Sequence, residues 1–272
     1  MDLKYIDAHA HIHSKEFDID RGEVIMRMKE SEMGCITVGT SLEDSKKAVE
    51  LAENQENVWA TIGVHPTDTD ETYNDVEFEE LVKNKKVVAI GECGLDYFRV
   101  KGVGDRVEEE KERQKGNFIR QIEFALKHEK SLMIHCRPSL GTNDAHEVMI
   151  EILSSYFPKP STLDPEPFFG NIHFFTGTKE IAERYFNLGF SVSISGVVTF
   201  AEDVAEVVKN LPTERILAET DCPYAAPVPH RGKRNEPIYV VDTMRKIAEL
   251  KDLQFEKLAE QLLENTKSAF GI

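Results

Sequence analysis

Cysteine is scarce in this chain. The 272 residues include four, Cys35, Cys93, Cys136 and Cys222, far apart and without a CxxC pair, which excludes a disulfide framework and a structural zinc knot. Long apolar runs are missing as well: none reaches the roughly 18 to 20 residues that cross a bilayer. The opening MDLKYIDAHAH has neither the basic region nor the apolar stretch of a secretory signal. A cytoplasmic protein with no membrane contact is expected. Positive charge is in deficit, with 33 Lys and Arg against 49 Asp and Glu and a formal net charge of −16. General electrostatics would repel a polyanion from such a surface. Phosphate chemistry would therefore need local cations, either bound metal or a confined basic patch. A GxGxxG turn after the first strand is absent, which argues against a doubly wound dinucleotide-binding sheet. No linker or low-complexity stretch divides the chain, so one domain over residues 1–272 is expected.

What is present is a regular alternation. Apolar runs rich in β-branched or aromatic residues occur at KYIDAHA, CITVGT, VWATIGV and KVVAIGEC, then at SLMIHC, FGNIHFF, FSVSIS and RILAETD. Each is followed by polar or glycine punctuation, as strands are. Helix-like segments fall between them. One spans 20–33 and stops at Gly34, and another starts at the N-cap Ser41. A third opens at Thr178 and sets Ile181, Ala182, Tyr185 and Phe186 on one stripe before Gly189. The charged segment 106–130 reads as a helix with Phe118, Ile122 and Leu126 on its apolar face. Two more helices close the chain. Strand and helix eight times over predict a (β/α)8 TIM-type barrel with an extra C-terminal helix. Residues 138–143 and 157–167 read as surface loops.

Of nine histidines, three stand in IDAHAHIH. Alternate residues of a strand share a face, so Asp7, His9 and His11 would line one side, roughly 6 to 7 Å apart at Cα. An HxH pair alone suits an ion or a packed core equally. The other strands tip the balance: Glu92 closes the fourth, His135 the fifth, His173 the sixth and Asp221 the eighth. In a barrel these ends converge on one mouth. Six nitrogen or oxygen ligands exceed what one tetrahedral ion takes, and suit two divalent ions sharing a carboxylate. Imidazole with carboxylate favours Zn²⁺ or Mn²⁺, whereas Mg²⁺ prefers oxygen alone. Asp221 can also accept a proton from water. Cys93, Cys136 and Cys222 each follow a proposed ligand, so alternation turns them toward the helices as small buried side chains.

The motifs DAHAH, GVHP, GECGLDY, IHCR, NIHFFTG, SISGVVTF and ETDCPYAAPVPHRGKRNEP, in that order, closely resemble the TatD-type metal-dependent deoxyribonucleases, a branch of the amidohydrolase-like barrels. The resemblance spans the chain from the first strand to the penultimate helix. It implies one ion held by His9, His11, Glu92 and Asp221, with Glu92 bridging to a second ion on His135 and His173. Glu92 and Asp221 then serve catalysis, and His65 contacts the scissile phosphate. DNA is the implied substrate, single strands shortened from 3′ to 5′, and Mg²⁺ stays beside Mn²⁺ and Zn²⁺ as a cofactor. No obligate protein partner is expected.

Other residues carry two readings. Arg231, Lys233 and Arg234 either lie in a solvated loop or grip a phosphate backbone, and the resemblance favours the second. Asp96 either orients a ligand or contacts substrate, or else caps a turn. Asp7 and Glu219 are expected to support ligands by hydrogen bonds, and His13, His128 and His146 to have no role. The chain departs from the family pattern at Phe174, Phe175 and Thr176, where many relatives carry cysteine, phenylalanine and serine. It also inserts PSLGTN after Arg137, which leaves substrate size and strand preference open. The nearest rival reading is an amidohydrolase-type enzyme cleaving an amide, ester or aminoacyl ester. Many of those bridge their metals with a carboxylated lysine where this chain has Glu92. A non-catalytic scaffold would be marked by lost ligands, and all six are present.

Overall fold

The computed structural model describes residues 3–69, 72–102, 104–157 and 168–272. The strands are Tyr5–Ala10 (β1), Met33–Val38 (β2), Val58–Ile62 (β3), Val87–Asp96 (β4), Ser131–Arg137 (β5), Gly170–Ile172 (β6), Phe190–Ile194 (β7) and Ile216–Ala218 (β8). Each pairs in parallel with the next. The helices are Arg21–Glu30 (α1), Leu42–Glu53 (α2), Asp75–Phe78 (α3), Asp105–Lys127 (α4), Asp144–Tyr156 (α5), Lys179–Phe186 (α6), Glu202–Asn210 (α7), Val240–Leu250 (α8) and Phe255–Phe270 (α9). The architecture is the expected (β/α)8 barrel with one helix beyond the eighth unit. Parallel strands are covered on both faces, and these strands are almost wholly buried.

The seam between β1 and β8 is made at the mouth. Ala10 bridges Cys222, His11 N–H donates to Cys222 O at 2.9 Å, and Asp221 N–H donates to His9 O at 2.9 Å. Closing the barrel therefore sets His9, His11 and Asp221 side by side. At the opposite end, Ser131 Oγ donates to Ala269 O at 2.6 Å. There Ala269 and Phe270 join a cluster with Ile36, Met133 and Leu217. The larger core lies between strands and helices.

Several local expectations hold. Ser41 caps α2 by accepting Asp44 N–H, and Thr178 caps α6 by accepting Ile181 N–H. Others need correction. Helix α1 ends at Glu30, because Glu32 takes a φ of 53°; Gly34 is no helix stop but lies inside β2, where the Trp59 ring leaves no room for a side chain. Leu126 is 46% exposed, and Phe124 and Ala125 pack in its stead. Asp7 does not line the mouth with the histidines. The β1 register slips between Asp7 and Ala10, and the Asp7 carboxylate accepts Thr220 N–H at 2.9 Å and the Thr220 hydroxyl. The inserted segment 138–143 is folded onto α5: Ser139 donates N–H and Oγ–H to Asp144 at 2.9 and 2.7 Å. Of the loop 157–167, all but Phe157 lies outside the described residues. Among the described residues, no helix is long and apolar enough to cross a membrane.

Candidate metal centre

Glu92 occupies the centre of the mouth because β4 is bulged there. The β4–β5 register shifts between Ile90 and Cys93, and Gly91 and Gly94 take φ of +149° and +136°. A Cβ at Gly94 would strike the His135 carbonyl oxygen, so only glycine lets β4 lie this close to β5. Glu92 N–H then donates to Gly39 O at 2.8 Å, and its buried carboxylate projects among five imidazoles.

The two carboxylate oxygens face different groups. Oε1 lies 2.9 Å from His135 Nδ1, 2.9 Å from His173 Nε2 and 3.2 Å from His65 Nε2. Oε2 lies 3.5 Å from His9 Nε2 and 3.9 Å from His11 Nε2. Asp221 Oδ1 completes the second group, 3.7 Å from His9 Nε2 and 3.4 Å from His11 Nε2. A tetrahedral ion with ligands about 2.1 Å away sets those ligands about 3.4 Å from one another. The spacings in the two groups fall on either side of that value, and three sets of ligand atoms each fit within 4.8 Å: His9, His11 and Glu92; His9, His173 and Asp221; and His65, Glu92 and His135.

What lies behind each ring decides which way its lone pair points. His11 Nδ1–H donates to Val38 O at 2.8 Å, and His135 Nε2–H donates to Asp96 Oδ2 at 3.2 Å. His173 Nδ1 faces Glu219 Oε1 at 3.6 Å. For His11 and His135 the acceptor behind the ring takes the proton and leaves the inward nitrogen with a free lone pair, as metal-binding histidines require. The carboxylate behind His173 stands too far off for a hydrogen bond. His65 is the reverse. Thr67 N–H donates to His65 Nδ1 at 3.2 Å and the Thr67 hydroxyl meets the same nitrogen at 2.7 Å; with Nδ1 accepting, the neutral ring carries its proton on Nε2 and points an N–H into the site. The donor chemistry thus fits ions on both sides of Glu92, with His65 as a hydrogen-bond donor beside them.

The electrostatics agree. Burial opposes ionisation of Glu92, yet the surrounding imidazoles, His173 foremost, hold its carboxyl well below the usual range. Burial also opposes charge on His11 and His173. Asp221 nevertheless pushes His11 up to about 9, and the Glu92 and Glu219 carboxylates push His173 well above the imidazole range. His65 moves the other way: burial outweighs Glu92 and keeps it neutral. The carboxylates favour positive charge at His11 and His173, and a cation bound there would displace their protons and take over that charge.

Support from around the site was not foreseen from the pattern. Gln121 of α4 accepts Val64 N–H at 2.8 Å and donates to Val64 O at 3.0 Å, holding the residue before His65. Gln114, seven residues earlier on the same helix, accepts Asp96 N–H at 2.8 Å. Buried Gln114, Asn117 and Gln121 among the apolar residues of that face were the available signal. Asp96 fills two of its expected roles, since its Oδ1 also accepts Arg99 N–H at 2.9 Å. Glu219 accepts Phe174 N–H at 2.9 Å beside His173. His13 lies beyond β1 but is buried, bonded to Thr37 Oγ1 at 2.7 Å and 3.0 Å from Asp44 Oδ2. His146 is buried too, in α5, whereas His128 ends α4.

Cys93 and Cys222 are buried in the outer core, and burial raises the Cys136 thiol to about 12 beside His146 and Tyr185. Arg231 and Arg234 do not join the ligands. Arg234 grips Asp20 at 2.6 and 2.8 Å and lies over Phe17, while Arg231 lies over Phe200. Lys233 is exposed. A cavity of about 720 Å³ opens above the ligands, lined in part by Arg99, Asp44 and Tyr224.

An eight-stranded parallel barrel with imidazoles and carboxylates gathered at the C-terminal strand ends defines a metal-dependent hydrolase of the barrel type. Comparison with known proteins narrows this. A family model described as TatD related DNase matches residues 6–271, and the chain belongs to that family. It is 39% identical over 271 residues, 98% of each chain, to the uncharacterized metal-dependent hydrolase YabD of Bacillus subtilis. It is 33% identical over 278 residues to the 3'-5' ssDNA/RNA exonuclease TatD of Pantoea ananatis, covering 98% of this chain and 99% of that one. Among solved structures, the TatD homolog YJJV of Escherichia coli K12 superposes over 100% of both chains with a TM-score of 0.83 at 27% identity.

Proposed function

We propose that this hydrolase cleaves DNA phosphodiester bonds, shortening single strands from the 3′ end in the cytoplasm. The observation that carries the reading is the division of Glu92, one oxygen toward His135 and His173, the other toward His9 and His11. His9, His11, Glu92 and Asp221 would hold one divalent ion, and Glu92, His135 and His173 a second, with Mg²⁺, Mn²⁺ or Zn²⁺ as candidates. Ions so held supply Lewis acidity to water and to phosphate oxygens, and positive charge to an acidic protein. The remaining work falls to side chains. Asp221 stays ionised, because His11 and His9 outweigh its burial, and its carboxylate accepts the proton of the attacking water. His65 donates Nε2–H to a phosphate oxygen as charge builds there, the geometry of an anion-stabilising donor. Two relatives are named 3'-5' ssDNA/RNA exonuclease TatD, which supports strand polarity and extends the substrate question to RNA.

The test is a gel assay on 3′- and 5′-labelled single-stranded DNA. Metal-stripped protein is reloaded with Mg²⁺, Mn²⁺ or Zn²⁺, with Glu92→Gln as the contamination control. Stepwise 3′ shortening that needs metal and vanishes in the control is the expected result. Intact DNA under every ion, from folded and metal-loaded protein, would overturn the reading in favour of amide or ester hydrolysis.

A further inference from the structure

Two matched pairs of side chains stand on the loops at the mouth without serving the ion ligands. Arg137 Cζ lies 3.9 Å from the Phe98 ring centroid, and Arg231 Cζ lies 3.9 Å from the Phe200 ring centroid. Phe98 is two residues past Asp96, where β4 ends, and Arg137, two residues past His135, is the last residue of β5. The second pair belongs to the far side of the barrel. Phe200 follows the 3-10 turn Gly196–Thr199 after β7, and Arg231 lies in the loop after β8. These loops are tied together, since Val228 N–H donates to Thr199 Oγ1 at 2.9 Å, and within the second loop Arg231 Nη1–H donates to Ala226 O at 3.1 Å. Both pairs therefore stand where the strands end at the mouth, one at β4 and β5 and the other after β7 and β8.

Their exposure is unusual for their chemistry. Phe98 and Phe200 are 47% and 43% exposed, leaving flat apolar rings in water. Among the described residues, neither Arg137 nor Arg231 has a carboxylate within salt-bridge range, in a chain with 49 acidic residues against 33 basic. Tyr224, 59% exposed, lies between, its ring 6.3 Å from that of His11. A ring backed by a guanidinium offers a flat surface to a nucleobase and a positive charge to the adjoining phosphate.

We infer that Phe98–Arg137 and Phe200–Arg231 are stacking platforms for unpaired nucleobases on either side of the ion ligands. The inference rests on the reading of the protein as a nuclease and specifies how it holds its strand. Every base has a π face, so such platforms tolerate any sequence. Bases inside a duplex are stacked on one another and cannot reach them, so single strands are selected.

The test compares an oligothymidylate with an abasic strand of equal length, which keeps the phosphates and removes the bases. KM and kcat for 3′ shortening are measured for the metal-loaded parent, Phe98→Ala, Phe200→Ala and the conservative Phe98→Tyr and Phe200→Tyr. Each alanine variant should raise KM on oligothymidylate about tenfold, move KM on the abasic strand little, and regain affinity as tyrosine. Both rings are half in solvent, so the alanine variants should fold, and their melting temperatures are measured to verify it. Equal KM for parent and alanine variants, or equal losses on both strands, overturns the inference while the nuclease reading stands. A parent that shortens neither strand overturns both.

Discussion

His65 and His173 approach the same Glu92 oxygen, at 3.2 and 2.9 Å, yet opposite kinds of group stand behind them. An N–H donor stands behind His65 and a carboxylate behind His173. His173→Ala should therefore lower the bound metal measured by elemental analysis. His65→Phe should keep the full metal content and lose about 10²-fold in kcat, the cost of one anion-stabilising donor. Metal lost from the His65 variant would make it a ligand. His146 supports a different prediction. It is 1% exposed, 2.9 Å from Tyr185 Oη, and burial lowers it from 6.5 to about 4. Between pH 6.5 and 4 the unfolded chain binds a proton there that the folded chain refuses, so stability falls as pH falls across that window. The loss reaches about 3 kcal/mol at the acid end. Urea midpoints recorded against pH should fall more steeply for the parent than for His146→Gln; parallel curves would contradict the assignment.

At the scale of elements, the turn after β2 organises the site more than any helix does. Three successive carbonyls accept bonds from three site residues: Val38 O from His11 Nδ1–H, Gly39 O from Glu92 N–H and Thr40 O from His65 N–H, each at 2.8 Å. Asp44, in the first turn of α2, anchors this turn by accepting Thr40 N–H and Oγ1–H at 3.0 Å each. His13 faces it from behind at 3.0 Å. Burial would raise Asp44, but His13 and Thr40 bring it down to about 2. Asp44→Ala should weaken metal binding by about 10- to 100-fold, the usual cost of losing support behind a metal site. Asp44→Asn, which keeps an acceptor for Thr40, should recover part of it. Competition titrations against a chromophoric chelator measure both, and unchanged affinity in Asp44→Ala would show that the turn holds itself.

For the whole molecule, the barrel seam and the ion ligands are the same residues. His9 O, His11 N and Asp221 N carry the bonds that join β1 to β8, so ions binding their side chains would clamp the barrel where it closes. A ligand specific to the folded state at 100 times its Kd adds about 2.7 kcal/mol. Adding Zn²⁺ or Mn²⁺ to stripped protein should therefore raise Tm by several degrees, with a smaller rise in Glu92→Gln. Calorimetry with and without metal reads this directly, and a Tm indifferent to metal would separate the seam from the ions.

The eight strands and the residues at their ends were legible in the chain, because alternation and punctuation are local properties. A histidine or carboxylate closing an apolar strand stands out without any fold. Barrel topology then brings those ends together, so the membership of the cluster followed as well. Asp7 was misplaced because a register slip in β1 is set by the neighbouring strand, which no alternation within IDAHAHIH reveals. Gln114 and Gln121 were passed over because a polar residue on a helix has no meaning until the backbone it faces is known. The direction of each imidazole lone pair was likewise out of reach. It depends on whether Val38 O, Asp96, Glu219 or Thr67 N–H stands behind the ring, and these come from other elements or from the path of a loop. Sequence by itself determined which groups reach the mouth, since strand period and strand ends are written residue by residue. Only the tertiary structure decided which of them offer lone pairs and which offer protons, since that is settled by partners distant in the chain and adjacent in space.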